Sequence, residues 1–313
     1  MRPVKEGSHS HNGSSTEQNF GQFVETRVRW FEEYLRAALD RYRAGSSQRF
    51  LPLLEAMAYS LDGGGKRLRP LLMLASAECV GVDAKRVLPA ACAMEFIHTY
   101  SLIHDDLPAL DDDDMRRGKP SSHKRFGEAT AILAGDALLT EAFAEMAKLA
   151  VDGGFSPKAV LEAISHLAYS AGVRGMVGGQ FLDTSLDGRH ASLPEVEFIH
   201  IHKTGALILA SVMLPAKLAE ASDDVAGRLK RFGEAAGLAF QISDDLLDAE
   251  SGLASHRGFR KRPSPSYADQ MTRVELKEKL AALVGAAVES ARPLGSQARW
   301  LLGLAEFIGS RQR

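Results

Sequence analysis

The segment "RVLPAACAMEFIHTYSLIHDDLPALDDDDMRRGKP", residues 86–120, passes from an apolar helical pattern into a run of acids and then of bases. Its first part has few polar positions and helical spacing, which predicts a buried helix. Asp105 and Asp106 therefore emerge from the end of a buried helix, and the "LPAL" bulge re-aims Asp111. Because like charges on a helix repel, the run is either a solvated surface loop or a place where cations bind.

A second acidic segment, "GLAFQISDDLLDAE" at residues 237–250, favours cation binding over a solvated surface loop. At about 100° per residue, one helix face carries the polar side chains Gln241, Asp244, Asp245 and Asp248. The other flank is predicted to be core and carries Ile242, Leu246 and Ala249. Gly233 and Gly237 continue the polar stripe. Since glycine costs a helix up to about 1 kcal/mol, they predict either space for a ligand or a close helix contact.

Two acid clusters on mainly apolar helices are expensive to bury without countercharge. A divalent cation would supply that charge. Oxygen ligands with few histidines favour Mg²⁺, which keeps several waters and bridges to substrate phosphates. The sequence therefore predicts a site for Mg²⁺ and phosphate.

Basic residues that could bind phosphate are also present. "SLDGGGKRLRPLL" at residues 60–72 places Lys66, Arg67 and Arg69 at the start of a helix, where backbone N–H groups favour an anion. The glycine spacing differs from a P-loop, and a plain glycine-rich turn is the alternative. Further candidates are Arg116 and Arg117 after the first acids, Lys203 and Thr204 in "FIHIHKTGALI", and His98, which could equally be a core histidine.

Composition excludes several classes of protein. Hydrophobic residues make up 45% of the 313 residues and the net charge is -2, so neither nucleic acid nor an anionic membrane surface is an expected partner. No apolar run looks long enough to span a bilayer, so no membrane insertion is expected. The N-terminus has no hydrophobic signal core, and two cysteines form no metal or disulfide framework. A cytoplasmic protein is expected.

The pattern along the chain predicts one all-α domain. Alanine, leucine, glutamate and arginine recur at helical spacing, and no alternating stretch indicates a sheet. Residues 1–20 are polar and are predicted to be a disordered tail, with the domain at residues 21–313. Residues 250–267 are rich in Gly, Ser, Pro and Arg and are also expected to be loosely ordered.

Six separated motifs resemble those of short-chain trans-isoprenyl diphosphate synthases, most of all the bacterial farnesyl diphosphate synthases. They are "GGKRLRPLL", "HTYSLIHDDLPALDDDDMRRGKP", "FGEATAILAGDALL", "MVGGQFLD", "HKTGALI" and "GLAFQISDDLLD". The resemblance covers about residues 50 to 250. It implies the isoprenoid synthase fold, an all-helical domain around a deep central cavity, and a homodimer.

The resemblance also implies a role for each candidate residue. Asp105, Asp106 and Asp111 would hold two Mg²⁺ ions, and Asp244, with Asp245 and Asp248, a third. Arg116, Lys203, Thr204 and Gln241 would bind the allylic diphosphate, and Lys66, Arg69, His98 and Arg117 would bind isopentenyl diphosphate. Tyr100 and Ser101 would limit the chain length of the product.

The expected reaction is the Mg²⁺-dependent condensation of isopentenyl diphosphate with dimethylallyl and geranyl diphosphates to farnesyl diphosphate. A geranylgeranyl diphosphate synthase is the alternative product class. A class I terpene cyclase and a non-catalytic partner subunit are weaker alternatives, because the candidate second diphosphate site argues against the first and two intact acidic motifs against the second.

The sequence departs from the family after the second acidic motif. "SPSY" at residues 264–267 resembles the remnant of a Lys-x-Thr-Tyr-Pro element, with Ser264 where a lysine is expected. Arginine also binds phosphate well, so a nearby base could substitute, or the segment could be a plain basic loop. The candidate bases are Arg257, Arg260, Lys261 and Arg262.

Overall fold

Long helices account for most of the chain, as the sequence predicts. The computed structural model describes residues 15–62, 64–186, 191–250 and 265–311. The α-helices of these residues are α1 (Ser15–Gly45), α2 (Leu51–Leu61), α3 (Leu68–Cys79), α4 (Leu88–Asp105), α5 (Ser122–Phe126), α6 (Glu128–Val151), α7 (Pro157–Ala171), α8 (Met176–Ser185), α9 (Leu193–His200), α10 (Ala206–Leu218), α11 (Asp223–Glu250), α12 (Arg273–Ala291) and α13 (Arg299–Gly309).

Local sequence signals account for several helix starts. Ser156 accepts a hydrogen bond from the N–H of Ala159 at 3.1 Å and so caps α7, whose first residue is Pro157. Thr272 and Glu275 form a capping box at the start of α12. These contacts satisfy backbone donors that have no partner inside the helix.

Helix α10 lies at the centre of the fold and joins two hydrophobic clusters. Leu207 and Leu214 belong to the cluster around α4, α6 and α7, whereas Ile208 and Val212 belong to the cluster around α3, α11, α12 and α13. A helix that is apolar on all sides is normally buried. The helix α10 is therefore the shared wall of both halves of the core.

The same region corrects one expectation from the sequence. The continuous helical stretch Leu193–Leu218, 26 residues with mean hydropathy 1.3, is long and apolar enough by length and composition to cross a membrane. Half of it is buried within the protein, because α10 packs against α3, α7 and α11. Its hydrophobicity is that of a core helix.

A short hairpin is the second correction, since no sheet was expected. Strands β1 (Met115–Arg116) and β2 (Lys119–Pro120) pair antiparallel, with Met115 opposite Pro120. The two residues between them, Arg117 and Gly118, have φ of 52° and 76°. Two consecutive positive φ values are typical of the type I′ turn, which closes tight hairpins.

The predicted N-terminal boundary also differs from the structure. Helix α1 begins at Ser15, inside the segment expected to be a tail. Phe20 packs at 6.3 Å from Phe23 and at 6.4 Å from Phe307, ring centre to ring centre, so this part of the helix is held by the core. Residues 1–14 and most of the segment 250–267, including Ser264 and the candidate bases Arg257 to Arg262, lie outside the described residues.

Candidate active site

A deep cavity of about 850 Å³ lies among α3, α4, the hairpin, α11 and α13. Both acidic segments and the predicted basic residues face it. The predicted site residues that line the cavity are Lys66, Arg69, His98, Asp105, Asp111, Arg116, Arg117, Lys203, Thr204, Gln241, Asp244, Asp245 and Asp248. The cavity thus brings together side chains that are far apart in the sequence.

The first acidic segment presents Asp105 and Asp111 to the cavity. Asp105 ends α4, and its carbonyl oxygen accepts a hydrogen bond from the N–H of Asp111 at 2.8 Å. This bond closes the "LPAL" bulge and places the two residues side by side. Burial raises the pKa of Asp105 to about 6, although Lys203 acts in the opposite direction. Burial disfavours the ionised carboxylate of Asp105 unless enough positive charge lies close to it.

Asp106 does not line the main cavity. It is buried, and its carboxylate accepts a hydrogen bond from Nε of Arg116 at 3.0 Å. Nη2 of Arg116 also reaches Asp113 at 3.3 Å. Burial raises the pKa of Asp106, and Arg116 partly offsets this effect. The arginine that was expected to bind the allylic diphosphate therefore also neutralises one of the expected metal ligands.

The second acidic segment contributes two cavity residues, Asp244 and, near the exposed end of α11, Asp248. Burial raises the pKa of Asp244 to about 6, and Arg311 opposes this shift. Nη1 of Arg311 lies 2.7 Å from Oδ1 of Asp244, at the distance of an ion pair. Burial therefore disfavours the ionised form of Asp244, as it does that of Asp105.

The predicted core flank of α11 is confirmed at Ile242 and Leu246, which are buried, but not at Ala249, which is exposed near the helix end. The glycine stripe serves close helix contact. A Cβ at Gly237 would lie 3.0 Å from Cα of Gly205, and one at Gly233 would lie 2.8 Å from Cδ1 of Leu209.

Cations line the part of the cavity beside the start of α3. Arg69 is half-buried there, and its Nε has no hydrogen-bond partner among the described residues. Burial lowers the pKa of Lys66, with a further contribution from Arg311. Burial, followed by the charges of Arg69 and Arg117, lowers the pKa of His98 well below its usual value, so its imidazole is neutral. This end of the cavity is suited to an anion.

Arg67 also lines this part of the cavity, but it is not a free cation, because it is paired with two glutamates. Its guanidinium contacts Glu95 at 2.6 Å and Glu32 at 2.7 Å, and it donates to the carbonyl of Leu61 at 2.9 Å. Arg67 has φ of 46°, the left-handed conformation, directly before α3. These contacts fix the loop from which the side chain of Lys66 projects.

Lys203 and Thr204 lie in a π-helical segment, Ile201–Gly205, between α9 and α10. Such segments occur frequently at functional sites. Nζ of Lys203 is 2.5 Å from Oδ2 of Asp183, which also lines the cavity. A Cβ at Gly179 would lie only 2.3 Å from the backbone nitrogen of Lys203, so α8 packs tightly against this segment.

The two predicted chain-length residues do not line the described cavity. Tyr100 is buried in the core, and its ring packs edge-on against His104 at 5.8 Å between ring centres. Ser101 donates its hydroxyl to the carbonyl of His98 at 2.8 Å. Their role in product length stays a prediction.

Several cavity residues were missed by the sequence analysis. Asp183 lies within the quoted "MVGGQFLD" motif, which was a usable signal, although no role was given to it. Arg311 and Phe307 come from the end of the chain, and His200 and Pro265 are 65 residues apart in the sequence. Nothing local marked Arg311 and Phe307, because only the fold brings them to the cavity, whereas His200 lies in the quoted "FIHIHKTGALI" and Pro265 in "SPSY", where neither was given a role.

A separate cluster lies outside the cavity lining. Asp112, Asp114 and His123 bring one potential ligand atom each to within 4.8 Å of one another. Nζ of Lys124 is 2.9 Å from Asp114, and Nδ1 of His123 is 3.0 Å from Oγ of Ser121, so the protein itself supplies partners for this cluster.

The cavity fits a magnesium ion. Asp105 and Asp244 are carboxylates whose pKa is raised by burial, and Asp111 and Asp248 add oxygen ligands at the same cavity. An all-oxygen set is the preference of Mg²⁺. Asp106 and Asp245 fit less well, because both accept hydrogen bonds from other protein groups.

Comparison with known proteins identifies the family of the chain. The polyprenyl synthetase family model matches residues 52–256. The chain is 44% identical over 297 residues to the farnesyl diphosphate synthase of Geobacillus stearothermophilus, covering 93% of this chain and 97% of that relative. It is 50% identical over 201 residues to large subunit 1 of the chloroplastic heterodimeric geranylgeranyl pyrophosphate synthase of Arabidopsis thaliana, covering 63% of this chain and 54% of the relative. The chain thus matches about half the length of the plant protein.

Solved structures show the same fold. The geranyltransferase of Legionella pneumophila superimposes with a TM-score of 0.85 at 34% identity, covering 96% of this chain and 99% of that one. The FPP/GFPP synthase of Zymomonas mobilis gives a TM-score of 0.83 at 35% identity, covering 93% and 99%. An all-α fold around a central cavity with two acidic segments is that of a prenyl-transferring enzyme. The chain belongs to the polyprenyl synthetase family.

Proposed function

We propose that this prenyltransferase condenses isopentenyl diphosphate with dimethylallyl and geranyl diphosphates, giving farnesyl diphosphate and pyrophosphate. The observation that carries the proposal is a single cavity lined by acids from α4 and α11 at one part and by cations from the start of α3 at another. Two diphosphates, one of them bound through metal ions, match these two parts.

The allylic diphosphate is assigned to the acidic part. Lys203 and Thr204 in the π-helical segment and Gln241 on α11 would contact its oxygens. Asp105, Asp111 and Asp244, together with adjacent acids, would hold three Mg²⁺ ions. The ions would neutralise the charge that develops on the departing pyrophosphate. Arg116 lies close enough to assist, since it already lines the cavity.

Isopentenyl diphosphate is assigned to the basic part. Lys66, Arg69 and Arg117 present positive charge there, and neutral His98 can donate one N–H to a phosphate oxygen. Holding both substrates in one cavity replaces a bimolecular encounter with a positioned reaction. Arg117 donates to the carbonyl of Gly64, which ties the hairpin to the loop before α3.

The chemical step needs no nucleophilic side chain. The C–O bond of the allylic diphosphate breaks and leaves an allylic cation and pyrophosphate. The double bond of isopentenyl diphosphate then forms the new C–C bond with that cation, and a proton is lost to the departing pyrophosphate. The chain's own residues serve to bind, orient and exclude water.

A twenty-carbon product is the second candidate. The match to a subunit of a geranylgeranyl pyrophosphate synthase favours it, and Tyr100, the proposed limit of chain length, lies in the core rather than on the described cavity wall. The fifteen-carbon product rests on Tyr100 and on the near full-length match to a farnesyl diphosphate synthase.

A homodimer in the cytoplasm is also part of the proposal. Large apolar side chains are exposed on α6 at Ile132 and Leu133 and on α8 at Val177 and Phe181. Exposed apolar patches often mark interfaces between proteins. Sedimentation of the purified protein would test this assignment, and a monomer at assay concentration would contradict it.

Product analysis tests the proposed function directly. The protein is incubated with labelled isopentenyl diphosphate and five-, ten- or fifteen-carbon allylic starters, and the products are separated by chromatography. Mg²⁺-dependent formation of farnesyl diphosphate is expected. Incubation with an allylic diphosphate alone should give no hydrocarbon or alcohol, and such a product would indicate a terpene cyclase instead.

Two substitutions test the metal ligands. Asp105→Asn and Asp244→Asn should each severely reduce condensation at the Mg²⁺ concentration that saturates the parent protein, because each removes a carboxylate from the acidic part of the cavity. Asp40→Asn is the matched control, since Asp40 lies on the surface of α1 and pairs with Arg43. Full activity in both cavity variants would contradict the assignment.

A further inference from the structure

Asp245 has both carboxylate oxygens engaged by other groups of the protein. Its Oδ2 accepts a hydrogen bond from the backbone N–H of Tyr267 at 2.7 Å, and its Oδ1 accepts one from Nε2 of Gln241 at 3.3 Å. Only 5% of the residue is exposed. Its neighbour Asp244 lines the same cavity but lies beside Arg311, with Oδ1 2.7 Å from Nη1 of that arginine. The two adjacent acids therefore have different surroundings.

His200 holds the same piece of chain at a second point. Its Nε2 lies 3.1 Å from the carbonyl oxygen of Pro265, so this nitrogen carries the proton and donates it. The rings of His200 and Tyr267 pack edge-on at 5.0 Å between their centres, and Tyr267 is fully buried. Pro265 and His200 both line the cavity.

Contacts on the far side complete the attachment. Nζ of Lys279, on α12, lies 5.1 Å from the centre of the Tyr267 ring. Ser266 and Asp269 form a capping box around this turn, with the N–H of Ser266 donating to Asp269 at 3.2 Å. The segment Pro265–Tyr267 is therefore docked between α9, α11 and α12.

We propose that Asp245 is a positioning residue and not a metal ligand. Together with His200 it fixes Pro265–Tyr267 as part of the cavity wall, and it orients Gln241 on the neighbouring turn of α11. Each oxygen of Asp245 already accepts one hydrogen bond, so a cation would have to share these oxygens with Tyr267 and Gln241 or displace one of them. Displacement of Tyr267 would leave a buried N–H without a partner, which is unfavourable.

This inference rests on the proposed function only in that it reassigns one of the expected metal ligands. The attachment of Pro265–Tyr267 can be measured without substrate or metal. A failed condensation assay would therefore contradict the proposed function, whereas an unaltered attachment in the variants below would contradict the inference alone.

Amide hydrogen exchange of the full chain, measured in EDTA, tests the attachment. In Asp245→Ala the amide of Tyr267 should exchange about tenfold faster or more, the order expected when a hydrogen bond to a charged acceptor is lost. Asp244→Asn, the adjacent carboxylate on the same helix, is the matched control and should leave this amide unchanged. An unchanged Tyr267 amide in Asp245→Ala would overturn the proposal.

The Mg²⁺ dependence of the reaction separates positioning from metal binding. Asp245→Asn keeps a carbonyl oxygen that can accept the hydrogen bond from Tyr267. Its half-saturating Mg²⁺ concentration should therefore stay within about twofold of the parent value, whereas the loss of a metal ligand would raise that concentration further. Asp244→Asn should raise that concentration by at least about tenfold. An equal rise in both variants would overturn the proposal.

A comparison of two Asp245 variants gives the final test. Asp245→Ala frees Gln241 and the Tyr267 segment, so the KM for the allylic diphosphate should rise more than kcat falls. In Asp245→Asn the KM should return most of the way to the parent value, because the asparagine carbonyl oxygen can accept these hydrogen bonds although it carries no charge. If the two variants are equally impaired, the charge itself is required and the positioning role is refuted.

Discussion

Gly179→Ala tests whether the tight packing of α8 on the π-helical segment positions Lys203 for the diphosphate. A Cβ at this position would lie 2.3 Å from the backbone nitrogen of Lys203 and 2.7 Å from its Cα. Both are backbone atoms, so no side-chain rotation can relieve the contact. Either α8 or the segment must move.

The required movement can be estimated from these distances. The two elements must separate by about 1 Å before the contact becomes ordinary. Overpacking of this kind costs about 1–3 kcal/mol of folding free energy. A misplacement of about 1 Å in a substrate-binding group can cost about 10²-fold in rate. The variant should therefore lose stability, and it should lose more in kcat/KM than a partly unfolded population explains.

Urea unfolding and steady-state kinetics with isopentenyl and geranyl diphosphates measure the two effects on one preparation. Gly285→Ala on α12 is the matched control, because a Cβ there meets nothing within 4 Å. It should keep full activity and gain up to about 1 kcal/mol, since alanine favours a helix over glycine. If Gly179→Ala retains kcat/KM while fully folded, the positioning argument is refuted.

Four further predictions follow from the site. Burial raises the pKa of Asp105 and of Asp244 to about 6, so protons compete with Mg²⁺ and its affinity, measured by calorimetry, should fall as pH drops through about 6; equal affinity at higher and lower pH would contradict this. A raised folded pKa favours folding below the unfolded pKa, about 3.9 for Asp, and this contribution is lost as pH rises to about 6. Asp105→Asn should therefore stabilise the metal-free protein near neutral pH, and the gain should shrink as pH falls toward about 4. Tyr100→Ala should lengthen the product on chromatography, and an unchanged product would remove Tyr100 from chain-length control. Arg116→Met should destabilise the protein by about 3 kcal/mol in urea unfolding, since Asp106 and Asp113 lose their partner, and adding Asp106→Asn should recover part of the loss.

At the first acidic segment, the sequence predicted the helix that ends in acids but not the difference between Asp105 and Asp106. Helical spacing identified a buried helix that ends in acids, and α4 does end at Asp105. Which acid faces the cavity depends on Arg116, ten residues further along the chain, whose guanidinium donates to Asp106. No periodicity in the sequence encodes that contact.

At the second acidic segment the sequence placed Gln241, Asp244, Asp245 and Asp248 on one face of a helix, and all four line the cavity. It could not separate the roles of adjacent acids, because their partners, Arg311 and Tyr267, come from later parts of the chain. The meaning of Gly237 was open for the same reason until its contact with Gly205 was known.

The sequence by itself determined the helical class, the positions of the acidic and basic segments and the chemistry that they can support, because helix periodicity and ligand type are local properties. Only the tertiary structure decided which carboxylates remain for a cation, which cations remain for a phosphate and which loops form the wall between them. Those choices depend on contacts between distant residues, and a buried charge is governed by whatever the fold places beside it.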